Sequence, residues 1–154
     1  MMTRPNITIY TDGSYKSKTH NGGWACLIVA WPFWTVLSGG APETTIIRME
    51  LLAVIRSLEF LSVPSNVTVI SDNMYVVNCI NKWVFDWRMN RWRTSKNTPV
   101  ENYDLIRALD MQLDRHVVQA MWVKSHTNKR GVHYLGNNCV DWFAQHSADE
   151  YACW

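Results

Sequence analysis

The stretch TIIRMELLAVIRSLEFLSVPSNVTVISD, residues 45–72, decides the fold. In its first half Met49, Leu52, Ala53, Ile55 or Arg56, Leu58 and Phe60 or Leu61 recur three and four apart, the period of an amphipathic helix. Pro64 ends that period, because it lacks a backbone N–H and disfavours helix at the residue before it. Over residues 66–71 the period falls to two, with Val67 and Val69 alternating, which predicts a short central strand. A helix that leads the chain back into a strand is the building unit of an α/β sheet.

Working outward, residues 6–11 alternate Ile7 and Ile9 against Thr8 and Tyr10, a half-buried strand. Residues 24–31 and 34–38 are apolar runs divided by Pro32 and fit a hairpin. Asn21-Gly22-Gly23 before them reads as a turn, and Gly39-Gly40-Ala41-Pro42 after them as a break. Downstream, 74–89 returns to helical spacing through Val76, Val77, Ile80, Trp83, Val84 and Trp87. A polar loop at 94–99, a helix at 102–113, a strand at 117–123, a long polar loop at 124–136 and a closing helix at 137–148 complete the chain. The predicted order β-β-β-α-β-α-α-β-α is an α/β fold, a five-stranded mixed sheet flanked by helices, in one domain over residues 1–154.

Composition bounds the function class. With 47% hydrophobic and 18% charged residues the chain can bury a core and is not disordered. No apolar run approaches the ~18–20 residues that span a bilayer, and the N-terminus enters the first strand without a secretory apolar segment, so a soluble cytoplasmic protein is expected. Cys26, Cys79, Cys139 and Cys153 form no CxxC pair, so neither a zinc site of ordinary spacing nor a disulfide framework is expected. Cys26 and Cys79 read as core residues. The net charge of +2 says little, but its distribution is uneven. Residues 82–96 carry Lys82, Arg88, Arg91, Arg93 and Lys96 against Asp86 alone, interleaved with Trp83, Trp87 and Trp92. Such a segment suits a nucleic-acid surface, with cations for phosphates and rings for sugars or bases. It equally suits a solvated helix face with its tryptophans turned inward. Trp24, Trp31, Trp34, Trp122 and Trp142 read as core or sheet-face packing, and His20, His116 and His146 as surface residues.

Four carboxylates resist explanation by simple solvation. Asp12 ends the first strand and Asp72 the fourth, Glu50 sits in the first turns of the helix among apolar neighbours, and Asp141 is the fourth residue of the closing helix. Each has a plain alternative: Asp12 as a turn residue, Asp72 as a helix cap, Asp141 facing a helix dipole. Taken together they point elsewhere. Strand ends at one sheet edge can gather carboxylates, clustered like charges need cations, and oxygen-only donors suit Mg²⁺ or Mn²⁺. Paired divalent ions are a known device for phosphodiester cleavage.

These residues resemble the type 1 ribonuclease H family, bacterial-type with a basic protrusion, whose members cut the RNA strand of RNA–DNA hybrids. The resemblance runs from Ile7 to Ala148. It rests on Thr11-Asp12-Gly13-Ser14, Arg48-Met49-Glu50-Leu51, Ser71-Asp72-Asn73, Trp83…Trp87-Arg88…Trp92-Arg93, Trp122-Val123-Lys124-Ser125-His126 and Gly136-Asn137-Asn138-Cys139-Val140-Asp141. It implies a ribonuclease H-like fold and makes Asp12, Glu50, Asp72 and Asp141 the ligands of two Mg²⁺ ions, for which Mn²⁺ can substitute. It implies hydrolysis with little sequence specificity, leaving 5′-phosphate and 3′-hydroxyl ends, with His126 as the loop histidine that aids proton transfer or product release. Trp83, Trp87, Arg88, Trp92 and Arg93 would grip the DNA strand, and Thr45 and Asn102 would hold a DNA phosphate. The partner implied is an RNA–DNA hybrid, with no membrane, no obligate protein partner and a monomeric chain.

The chain departs from the family pattern at three places. Ile46 and Ile47 stand where bacterial members carry asparagines, Met74 replaces a glutamine, and Tyr15-Lys16-Ser17-Lys18-Thr19-His20-Asn21 replaces a Gly- and Pro-rich loop. A working nuclease with altered hybrid recognition, partly offset by Lys16 and Lys18, is therefore expected. His133 is the alternative loop histidine, and a zinc site from His126, His133 and Cys139 lacks a fourth ligand. The competing functions are a hybrid-binding module without turnover and a nuclease of the same fold with another nucleic-acid substrate.

Overall fold

A computed structural model describes residues 3–125 and 131–152, the last two by backbone. Five strands form one sheet in the order β3-β2-β1-β4-β5: β1 (Asn6–Lys16), β2 (Asn21–Ala30), β3 (Phe33–Ala41), β4 (Asn66–Ser71) and β5 (Val117–Trp122). β1, β2 and β3 pair antiparallel, whereas β1–β4 and β4–β5 are parallel, so the sheet is mixed as expected. The β1–β2 turn closes through the His20 N–H on the Lys16 carbonyl at 2.8 Å.

Alternation along β1 sends Ile7 and Ile9 to one face, and Tyr10 and Asp12 follow on the other. The first face is covered by α1 (Ile46–Phe60), α2 (Met74–Asn78) and α4 (Tyr103–Arg115), with Leu51, Val54, Leu58, Val76, Ile106 and Leu109 in the core. The second face is covered by α5 (Val132–Ala152), whose Val140 and Ala144 pack on Tyr10, Ala25 and Ile70. Each buried aliphatic side chain contributes about 1.5–3 kcal/mol. The Thr45 side chain, which accepts from the Arg48 N–H as the N-cap of α1, contributes about 1 kcal/mol. Packing therefore fixes where α1 sits, and the cap fixes where it starts.

Several sequence expectations are corrected. Asn21-Gly22-Gly23 opens β2 and Gly39-Gly40-Ala41 closes β3, because Gly22, Gly23 and Gly39 let other groups approach the strands. Leu52 is only half-buried and Phe60 exposed, since the buried face of α1 centres on Leu51, Val54 and Leu58. The helix expected over 74–89 is α2, a π-helical turn (Cys79–Trp83) and α3 (Val84–Met89). One wide turn leaves the three-and-four apolar spacing intact, which hides it from periodicity. α5 begins five residues before the expected start because Val132 and Leu135 face solvent and give no amphipathic signal. Asp141 is therefore mid-helix and no dipole cap. Trp31, Trp34, Trp122 and Trp142 are exposed, not core, and Trp24 alone of the five is half-buried. His116 is buried rather than on the surface, while His20 and His146 are exposed. Cys26 and Cys79 are core residues as expected. No helix among the described residues is long and apolar enough to cross a membrane.

Candidate active site

The last β1–β4 pair is Thr11–Ser71, so Asp72 just past the end of β4 stands beside Asp12, which does not end its strand as expected but lies within β1, because β1 runs on to Lys16 against β2. Glu50 reaches them from α1 because Gly13 lets helix and strand touch. A Cβ on Gly13 would lie 2.6 Å from the Glu50 backbone nitrogen. Carboxylate oxygens of Asp12, Glu50 and Asp72 consequently fall within 4.8 Å of one another. Asp141, from α5, hydrogen-bonds with Asp12, and Gln145 one turn later donates to Asp141 Oδ2 at 3.0 Å.

Asp12 is 4% exposed and Glu50 3% exposed. Burial raises the affinity of Asp12 for a proton most, and the charges of Glu50, Asp72 and Asp141 raise it further. Burial and then Asp72 raise Glu50 likewise, against the Gly13 amide and the Asn73 side chain, which favour its charged form. Glu50 Oε2 is buried without a hydrogen-bond partner. An orphaned carboxylate oxygen among like charges, with oxygen donors only, fits a hard divalent cation.

A ribonuclease H family model matches residues 4–149. The chain belongs to the ribonuclease H family. It is 39% identical over 145 residues to Ribonuclease H of Pseudomonas fluorescens (strain Pf0-1), covering 94% of this chain and 92% of that one. It is 42% identical over 125 residues to Ribonuclease H of Stutzerimonas stutzeri (strain A1501), covering 81% and 83%. Among solved structures, the solution structure of the PFV RNase H domain superposes with a TM-score of 0.79 at 25% identity, covering 96% and 97%. LC9-RNase H1 shares the fold, with a TM-score of 0.84 at 21% identity over 97% of this chain and 75% of that one.

The basic, tryptophan-rich segment of this ribonuclease H family member divides into a platform and its supports. Trp83 and Trp87 are neighbours at 6.0 Å between ring centroids, half-buried against the core, with Tyr75 edge-on to Trp83. Trp92 is clasped between Tyr103 and the Arg107 guanidinium, 4.8 Å above its ring. Arg88 is held by Asp110 and Asp114 of α4, and Arg93 donates to the Asn97 carbonyl at 2.8 Å. The tryptophans are thus half-buried rather than wholly turned inward, and among the described residues Arg91 and Lys96 are the segment's exposed cations without a partner.

Thr45 and Asn102 share one neighbour. Arg48 gives its backbone N–H to Thr45 Oγ1 and its Nη1 to Asn102 Oδ1 at 3.4 Å, while gripping Asp104 through both terminal nitrogens. Ile46 is exposed at 39% and Met74 at 49%, while Ile47 leans on the core. His126 lies outside the described residues. His133 Nδ1 bonds the Tyr10 hydroxyl at 2.9 Å, eight residues and about 12 Å of helix rise before Asp141, so it anchors α5. Sequence reasoning missed Arg48, Asn73 and Gln145 as supporting residues. Only Gln145, at i+4 from Asp141, carried a readable signal.

Proposed function

We infer that the chain is an endonuclease that hydrolyses the RNA strand of RNA–DNA hybrids and leaves 5′-phosphate and 3′-hydroxyl ends. The observation that carries this is the cluster of Asp12 in β1, Glu50 in α1 and Asp72 just past β4, with Asp141 of α5 beside Asp12, in a chain of this family. Asp12, Glu50, Asp72 and Asp141 would hold the cations, proposed as two Mg²⁺ ions with Mn²⁺ as substitute. When bound, these would offset the phosphate charge and supply an acidified water. The chain contributes alignment. The Gly13 amide and Asn73 orient Glu50, and Gln145 orients Asp141. His126, directly after Val123-Lys124-Ser125, is proposed to move a proton at the leaving group.

Trp83 and Trp87 suit the deoxyribose of the DNA strand, and Thr45 with Asn102 a DNA phosphate. Arg88, Trp92 and Arg93 act mainly by holding the platform's shape. Recognition of RNA rests on 2′-hydroxyls in a wide, shallow minor groove. With Ile46 and Ile47 in place of amides, that recognition is weakened. Ile46→Asn with Ile47→Asn should lower KM for the hybrid, and an unchanged KM would count against this.

The test is labelled RNA–DNA hybrid in Mg²⁺ or Mn²⁺, beside double-stranded DNA and RNA, with Asp12→Asn as control. Cutting confined to the hybrid's RNA strand and lost in the variant is expected. Hybrid that binds intact would leave a binding module instead.

A further inference from the structure

The sheet has two free edges, and the molecule treats them differently. On β5, Asn81 of the π-helical turn bonds the outward backbone of Ala120, donating to its carbonyl at 3.0 Å and accepting from its N–H at 2.9 Å. Among the described residues no side chain does the same for β3. That strand is nine residues long, has an unbroken register with β2, and carries no charged side chain, proline or bulge. Natural edge strands are normally guarded by one of these devices.

We propose that the open edge of β3 pairs antiparallel with β3 of a second copy of this chain, about a two-fold axis at Leu37. The sequence Phe33-Trp34-Thr35-Val36-Leu37-Ser38-Gly39-Gly40-Ala41 is self-complementary in size about that axis. Phe33 falls opposite Ala41, Trp34 opposite Gly40, Thr35 opposite Gly39 and Val36 opposite Ser38. Phe33, Trp34, Thr35 and Val36 thus each meet a smaller residue, and Leu37 meets its own copy on the axis. Phe33 is 76% and Trp34 69% exposed, so both rings gain cover. The sheet already uses this packing within one chain: Trp24 lies over its cross-strand partner Gly39, where a Cβ would come within 2.8 Å of the ring. Any other axis leaves part of the nine-residue edge unpaired. A two-fold contact of this kind closes on itself and gives a dimer, in place of the monomer expected from the sequence. The contact lies two strands, about 10 Å, from Asp12 and leaves the acid cluster open.

One strand pair is a small interface, so association is expected at about 100 µM rather than nanomolar concentration. Sedimentation velocity of the full chain should show the mass doubling over that range. Trp34→Lys should return it to a single-chain mass with its circular dichroism and hybrid cleavage unchanged. Register is read by mild oxidation. Leu37→Cys places two thiols across the axis and should give a disulfide-linked dimer. Thr35→Cys places them four residues apart, about 13 Å, and should not cross-link above the oxidised wild-type background. A wild-type chain that keeps its single-chain mass, a dimer unaffected by Trp34→Lys, or equal cross-linking of the two cysteine variants would each overturn the proposal.

Discussion

Asp12 and His116 are buried ionisable groups with opposite consequences. Asp12 binds its proton more tightly when folded, so its charge works against folding as pH rises above the ordinary carboxylate range near 4. In the absence of metal at pH 7–8, Asp12→Asn should therefore raise stability, on the order of 1 kcal/mol or about 2–4 °C, while abolishing hybrid cleavage. Added Mg²⁺ should raise the wild-type melting temperature and leave the variant's almost unmoved, as binding to the folded state alone requires. A variant that melts lower than wild type without metal would refute the view that repulsion dominates the cluster. His116 behaves the other way. Its Nδ1 accepts from the Ser65 N–H at 3.0 Å and its Nε2 donates to the Leu58 carbonyl at 3.1 Å, an arrangement only the neutral ring can make. Burial lowers its affinity for a proton, Leu58 opposes this, and the charges of Arg115 and Arg4 lower it further. The stability it contributes is full above about pH 6.5 and is lost as pH falls below that value. Urea midpoints measured from pH 7 down to 5 should fall for the wild type more steeply than for His116→Gln, which has no ring to protonate. Parallel slopes would assign the acid sensitivity to other groups.

At the level of elements, legibility follows what side-chain period can and cannot report. The α1–β4 unit was readable because Leu58, Val67 and Val69 bury on schedule, and Thr45 and Pro64 bracket the helix. Asp12, Asp72 and Glu50 were readable as a group because topology puts the end of β4, the neighbouring stretch of β1 and one helix start together, although β1 runs on past Asp12 to Lys16. The start of α5 was not, since Val132 and Leu135 point outward, nor was the π-helical turn, which disturbs the backbone while Ile80, Trp83, Val84 and Trp87 keep their spacing of three and four. Arg88 shows the limit most clearly. Its composition context suggested a phosphate ligand, yet its guanidinium joins α3 to α4 through Asp110, a carboxylate only 9% exposed. Sequence cannot see this partner 22 positions away. Arg88→Ala should thus lower stability by about 1–3 kcal/mol, because Asp110 is left buried without its cation. Arg91→Ala, in contrast, should leave stability within about 0.5 kcal/mol and raise KM for the hybrid with a shallower salt dependence. Reversal of those two outcomes would return Arg88 to the substrate surface.

Across the whole molecule, the four acids come together because two helices on opposite faces of the sheet are seated directly against strand backbone at Gly13 and Gly23. α1 brings Glu50 from one side and α5 brings Asp141 from the other. The four acids were legible as a group, but the close seating of α5 on β2 was not, because Gly23 read as part of a turn. In the fold Gly23 is the floor on which α5 rests: a Cβ there would lie 2.2 Å from the Ala144 carbonyl oxygen and 2.5 Å from the Ala148 nitrogen. Those are backbone atoms in the middle of a helix, so no rotamer change can relieve them, and α5 as a body must lift away. Asp141 lies one residue short of a turn from Ala144 on the same helix and would lift with it, loosening its hydrogen bond to Asp12. Gly23→Ala should therefore do two things that a simple packing defect would not combine. It should lower stability by about 1–3 kcal/mol, the usual cost of overpacking, and it should weaken Mg²⁺ binding measured calorimetrically on the folded protein well below the melting temperature. A substitution of comparable cost on the other face, Leu58→Val, leaves α5 in place and serves as the reference. If Gly23→Ala destabilises the fold but binds Mg²⁺ as tightly as Leu58→Val, the seating of α5 does not govern the fourth carboxylate.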